Sequence, residues 1–245
     1  MTGVMQNQLI LLSAVSLIGF GSCASSGSHA NAAASTNHCG RVDGRAVGLS
    51  QSPINISSKD LGSRGHQIAF EFHPSQEHIV HKATTIELEY DEGSSVAFDG
   101  STYELRQFHF HTPSEHLVDG VTYPLECHLV HLGTEPDTYL VIGVLFKEGR
   151  KSEFLEAFLG DVPSRAGQHF DGSQVIDVRE LLAGDFDAYT YQGSLTTPPY
   201  TESVRWLVLK TVREATREQI QRLHLLEGDN ARHIQPLAGR SVEAG

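Results

Sequence analysis

Between Gln107 and His111 the chain reads Gln-Phe-His-Phe-His, and alternation of this kind predicts a β-strand whose odd and even positions face opposite sides. On such a strand His109 and His111 project together from one face, while Phe108 and Phe110 enter the other. A second alternating run, Leu125-Glu126-Cys127-His128-Leu129, sets Glu126 and His128 on one face and the apolar residues and thiol on the other. Pairing of the two strands brings three imidazoles to one point. Three neutral imidazoles suit zinc (Zn²⁺), and three protein ligands rather than four leave a position for water, the arrangement of a catalytic site. Zinc lowers the pKa of such a water to about 7, making hydroxide available near neutral pH. Glu126, two residues before His128, is placed to accept that ring's second N–H and fix its orientation. A His-x-His pair alone is common among hydrogen-bonded core histidines; the third histidine is what favours a metal. His116 and His131 read as structural hydrogen-bonding residues, and His66, His73, His78 and His169 as surface or loop residues.

The elements that must carry these side chains are mostly strands. From about residue 50 onward, short runs rich in Val, Ile, Phe, Tyr and Thr are separated by turn signals such as Asp91-Glu92-Gly93 and Asp99-Gly100. The clearest strands are predicted over 85–90, 95–98, 103–111, 125–132, 139–147 and 203–211. Helical spacing occurs over 152–159 and again after Thr216, where Gln219 could complete a capping box. No internal repeat and no Gly-rich nucleotide-binding turn is visible.

At 245 residues the chain can bury one large core, and β-rich chains of this length often stay undivided. Its formal charge of −12 argues against neutralising nucleic-acid phosphates, which requires a basic face. A small-molecule partner is expected, with no nucleic acid. The apolar run from Leu9 to Phe20 is short for a membrane span but suits the core of a signal peptide, so a secreted or periplasmic protein is predicted, with no transmembrane span once mature. Ser28-His29-Ala30 offers a simple cleavage site. Gly21-Ser22-Cys23 resembles a lipoprotein signal instead, and would give a lipid-anchored form through Cys23. The expected organisation is a signal peptide over 1–30, a linker and divergent segment over 31–45, and a catalytic domain over 46–245. Cys127 is expected as a buried free thiol rather than as half of a bridge to Cys39.

Several of these stretches closely resemble the α-class carbonic anhydrases: Gln107-Phe108-His109-Phe110-His111, Pro113-Ser114-Glu115-His116 and Glu126-Cys127-His128-Leu129-Val130-His131. The same holds for Gln51-Ser52-Pro53-Ile54-Asn55-Ile56, Gly193-Ser194-Leu195-Thr196-Thr197-Pro198-Pro199, Trp206-Leu207-Val208-Leu209-Lys210 and Asn230-Ala231-Arg232 followed by Gln235-Pro236-Leu237. Together they cover roughly residues 50 to 240.

The resemblance implies a mostly β, single-domain fold, with a large twisted, mainly antiparallel central sheet and short peripheral helices. It implies a zinc lyase that reversibly hydrates carbon dioxide to bicarbonate and a proton through zinc-bound hydroxide. His109, His111 and His128 match the metal ligands, and Gln107, Glu126 and Asn230 match the groups that orient them. Thr196 and Glu115 match a catalytic relay: an ionised carboxylate only accepts, so the Thr196 hydroxyl donates to it and keeps a lone pair for the hydroxide. Thr197, Leu195, Val130, Val141 and Trp206 match the substrate-binding surface. A homodimer is a candidate assembly.

Three departures stand out. His38 to Ser50 has no aromatic residue where the family covers its cleft, and Tyr200 stands where secreted bacterial relatives commonly carry a cysteine. Thr84 occupies the position of the family's proton-shuttle histidine, which makes His81, three residues earlier, a candidate replacement. Competing readings are a zinc esterase, a non-catalytic module of the same fold, which would lack a zinc histidine, and a metal carrier, which would leave Glu115 and Thr196 unexplained.

Overall fold

Side chains alternate between two apolar layers along the strands that carry the histidines, and this sorting builds the molecule. The computed structural model describes residues 48–244 apart from 183 and 185, with the backbone of a strand pair at 41–42 and 45–46. The expected signal peptide, Cys23, Cys39 and nearly all of the linker lie outside the described residues. Ten strands form the main path of one sheet: β1 (Leu61–Gly62), β2 (Ser75–His81), β3 (Ile86–Glu89), β4 (Ser101–His111), β5 (Leu125–Gly133), β6 (Tyr139–Glu148), β7 (His169–Ile176), β8 (Ala188–Gly193), β9 (Val204–Leu209) and β10 (Val242–Ala244). Across the sheet they run β7-β2-β3-β4-β5-β6-β9-β8-β10-β1. Neighbours are antiparallel except β6 with β9 and β10 with β1. The mostly β fold class read from the sequence is therefore observed.

One face of the sheet carries Phe108, Phe110, Leu125, Cys127, Leu129 and Ile142, all fully buried, beneath helix α1 (Glu153–Leu159). Phe108 and Phe110 meet α1 through Phe158, with ring centroids 6.1 and 5.7 Å away. Burying an aromatic of this kind is worth about 2–3 kcal/mol, and a one-residue slip of β4 would exchange the phenylalanines for histidines. The apolar layer thus fixes the direction in which His109 and His111 point. The other face gathers a second cluster, with Val141, Tyr191, Val204, Trp206 and Val208 at its centre.

Helix α1 is capped by Ser152, and α3 (Arg217–Glu227) by the capping box that Thr216 and Gln219 were expected to form. Gln219 also accepts from Ser152 N at 2.9 Å and donates to Ser152 O at 2.8 Å, tying the two helix starts together. A short α2 spans Arg179–Leu182. Cys127 is a buried free thiol. Among the described residues no helix is long and apolar enough to cross a membrane.

His66 departs from its surface reading. Its side chain is 2% exposed and lies between Asp99 Oδ2 and Glu243 Oε2, each 2.8 Å from a ring nitrogen. The partners sit 33 and 177 residues away in sequence, too far for local pattern to reveal the burial.

Candidate metal centre

Strands β4 and β5 pair in the register that joins the three histidines: His128 lies opposite His109, and Glu126 opposite His111. One ligand-capable nitrogen from each of His109, His111 and His128 falls within 4.8 Å of the others. Their neighbours assign those nitrogens. His109 Nδ1 lies 2.8 Å from Gln107 Oε1, which can only accept, so the proton sits on Nδ1 and Nε2 keeps its lone pair. His128 Nε2 donates to Glu126 Oε1 at 2.9 Å, leaving Nδ1 free. Both nitrogens of His111 are buried without a hydrogen-bond partner. An orphaned, buried imidazole beside two others with free lone pairs is costly in an apolar setting and fits a metal ligand. Burial holds His109 well below the usual histidine range, aided by the neighbouring His111 and His128 rings, and burial also lowers His111. Burial opposes charge on His128 too, but Glu126 outweighs it and raises that ring.

His116, Glu126 and His128 are also close enough to ligate together, but their polar atoms already bind one another. Glu126 Oε1 accepts from His128 and, at 2.7 Å, from His116 Nδ1. Its Oε2 accepts from the backbone N–H of Glu115 and His116 at 2.9 and 2.8 Å. Despite burial, the two histidines hold the Glu126 carboxyl well below the usual range. His116 Nε2 continues the chain to Tyr191 Oη at 2.6 Å, and Tyr191 donates to Ser52 Oγ at 2.8 Å. Ser52 in turn meets Ser194 at the base of the Thr196 loop. Sequence reading assigned no role to Tyr191, Ser52 or Ser194; Ser52 and Ser194 fall within the matching motifs and Tyr191 within none, and only tertiary contact links the three. Gly143 stands opposite His128 in β6, and a Cβ there would meet Glu126 Oε1 at 3.0 Å, tight enough to displace the carboxylate.

Glu115, 1% exposed, accepts from Arg232 N through Oε1 at 2.8 Å. Its Oε2 is buried without a donor, 3.6 Å from His111 Nε2 and 3.9 Å from His128 Nδ1. The relay drawn from the resemblance is not formed here: that oxygen receives no hydrogen bond from Thr196, which is itself 8% exposed. Asn230 acts through the main chain around His111, accepting from Thr112 N at 2.9 Å and donating to Phe110 O at 3.1 Å and Thr84 O at 2.8 Å. Val130, Val141, Leu195 and Trp206 fall in one apolar cluster, with Val130 opposite Val141 and Val141 opposite Trp206. Trp206 also packs on His128, ring centroids 4.8 Å apart. Thr197 is exposed, one residue beyond Thr196.

His81 does not reach this face. Its register partner is Ile86, whereas Val80 pairs with Glu87 and Glu87 with His109, so alternation turns His81 toward the opposite, apolar layer. Its ring is tied to Pro163 O at 2.7 Å and the residue is 4% exposed. That burial removes it as the replacement shuttle. His131, on the same layer, bonds through Nδ1 to Leu129 O, and burial lowers it to about 4.

The family model described as eukaryotic-type carbonic anhydrase matches residues 34–245. A carbonic anhydrase of Pectobacterium carotovorum is 35% identical over 197 residues, 80% of each chain. One from Neisseria gonorrhoeae is 37% identical over 199 residues, covering 80% of this chain and 78% of the relative. Among solved structures, the α-carbonic anhydrase of Thermovibrio ammonificans, in complex with the inhibitor sulfanilamide, superposes with a TM-score of 0.77 at 39% identity, covering 80% of this chain and 87% of that one.

Proposed function

The chain belongs to the eukaryotic-type, or α-class, carbonic anhydrase family, enzymes that interconvert carbon dioxide and bicarbonate, and on that premise we propose that His109, His111 and His128 hold a catalytic zinc. The observation that carries the proposal is the state of the three rings. Two have one nitrogen fixed by an acceptor, the third has both buried and unpartnered, and the remaining lone pairs converge. Zinc bound there supplies a water that ionises near pH 7.

Every other part belongs to the chain. Gln107 and Glu126 hold the tautomers that leave Nε2 of His109 and Nδ1 of His128 unprotonated. Glu115 Oε2, an acceptor without a donor, accepts a hydrogen bond from the Thr196 hydroxyl when that side chain turns toward it. The Thr196 oxygen then accepts a hydrogen bond and orients a hydroxide for attack. Val130, Val141, Leu195 and Trp206 give carbon dioxide an apolar surface, and Thr197 lies beside the bicarbonate formed. Export through the N-terminal signal, with or without a lipid on Cys23, is part of the same proposal and rests on sequence.

Metal analysis of the purified protein tests it, paired with carbon dioxide hydration before and after chelation. Loss of hydration with zinc and return on adding one equivalent supports the assignment, and hydration that survives complete zinc removal overturns it.

A further inference from the structure

The loop bearing Thr196 and Thr197 is closed by two main-chain hydrogen bonds, Leu195 N to Thr201 O at 3.0 Å and Tyr200 N to Thr197 O at 2.9 Å. Closing it that way puts Tyr200 in the left-handed region, at φ 59°, where a bulky aromatic residue is seldom found. An unfavourable backbone of this kind persists when surrounding contacts hold it. Here the backbone carbonyl of Tyr200 accepts from Gln51 Nε2 at 3.2 Å, and its ring is covered by Arg232, whose guanidinium carbon lies 3.8 Å from the ring centre.

Arg232 is itself fixed at two further points. Its Nη1 donates to Ser52 O at 2.6 Å, and its backbone N–H donates to Glu115 Oε1 at 2.8 Å. Ser52 N in turn donates to Ser194 Oγ at 2.9 Å, at the base of the same loop. One arginine therefore touches the loop of Thr196, the segment that supports that loop, and the carboxylate facing the histidines. A planar guanidinium stacks on a ring in a way that an ammonium cannot.

We propose that the stack of Arg232 on Tyr200 is a clamp that sets the Thr196 loop against Glu115, making Tyr200 a positioning residue for carbon dioxide hydration. The proposal rests on the function proposed above. Tyr200 touches neither substrate nor metal; it acts by holding Thr196 where its hydroxyl can meet Glu115, and small misplacements of such groups cost rate steeply.

The test uses Tyr200→Gly, which suits a left-handed backbone but deletes the ring, and Tyr200→Phe, which keeps the ring. Zinc content, kcat and KM for hydration in saturating imidazole buffer, where attack rather than proton export sets kcat, and hydrogen exchange at the Leu195 amide are measured in each and in the parent. In Tyr200→Gly the expected result is full zinc, kcat lower by about tenfold, a smaller change in KM, and Leu195 exchange faster by about tenfold or more. Tyr200→Phe should restore both kcat and protection. Parental kcat in Tyr200→Gly overturns the proposal, whether or not exchange accelerates, and so does a Tyr200→Phe variant that behaves like Tyr200→Gly. A parent lacking zinc-dependent hydration would refute the function instead. The exchange arm would still judge the clamp.

Discussion

Glu126 Oε1 accepts a hydrogen bond from His128 Nε2 at 2.9 Å, so that ring carries its proton on Nε2 and turns Nδ1 toward the other two histidines. The same carboxylate takes His116 Nδ1 and two backbone N–H groups, so His128 is oriented by a saturated, buried hub.

Glu126→Gln should disturb both functions of that hub. An amide offers N–H to His128 and reverses the tautomer that leaves Nδ1 free, so zinc affinity should fall about 10 to 100-fold. The hydrogen bond from His116 Nδ1 is lost as well, and leaving a buried donor unsatisfied costs about 1–3 kcal/mol. Chelator competition and a thermal melt check this; unchanged zinc affinity would show that Glu126 does not set the ligand.

Thr196→Ala should keep full zinc and lose carbon dioxide hydration by about 100-fold, because the attacking oxygen is no longer oriented. Metal analysis and stopped-flow hydration in saturating imidazole buffer, where proton export no longer limits the rate, decide it on the same sample. Parental turnover would remove Thr196 and Glu115 from the relay.

Two buried carboxyls should each withdraw stability as pH rises, against the opposite contribution of His131, which burial lowers to about 4. Glu227 is 8% exposed, its Oε2 has no partner, and burial raises it from 4.5 to about 8. Between those values the native state holds a proton that the unfolded chain has released, so its contribution is complete below about pH 4.5 and gone above about pH 8. The slope is about 1.4 kcal/mol per pH unit for one such group. Glu77, raised to about 7 by burial and then by Asp161, acts with the same sign. Glu227→Gln should therefore gain stability relative to the parent between pH 5 and 8 by melting temperature or denaturant midpoint. A difference that stays flat with pH would contradict the assignment.

Proton export, rather than attack on carbon dioxide, should limit turnover. Thr84 is exposed and cannot carry a proton at neutral pH, and His81 is buried on the other layer. With ionisation near pH 7 and recombination at about 10¹⁰ per molar per second, release to water alone is limited to about 10³ per second. Imidazole buffer at fixed pH and ionic strength should raise kcat, and Thr84→His should raise it in dilute buffer. A turnover of about 10⁵ per second, insensitive to both, would show that another route exists.

Local alternation made the centre of the site legible. Phe108 and Phe110 anchor one face of β4, so His109 and His111 had to share the other, and Glu126 and His128 followed by the same rule in β5. Where polar residues are buried, that rule is hidden. Strand β2 buries Ser75, Glu77, Ile79 and His81 on one side, and two of these are titratable, so the segment did not read as a strand and His81 did not read as a core residue. Arg106 is an extra residue in β4, opposite the step from Val130 to His131, and inverts the alternation between Leu105 and Phe108. The chain from His116 through Tyr191 to Ser52 spans residues distant in sequence, as does the contact of Arg232 with Tyr200. Such contacts come from topology rather than from local pattern.

Stopped-flow carbon dioxide hydration during zinc back-titration of the chelated protein tests the central claim most directly. A rate that climbs in proportion to bound zinc and saturates at about one equivalent per chain is predicted for one three-histidine site with an open position. A chain that binds its equivalent of zinc and leaves hydration at the uncatalysed rate, or hydrates carbon dioxide fully before any zinc is added, would contradict it.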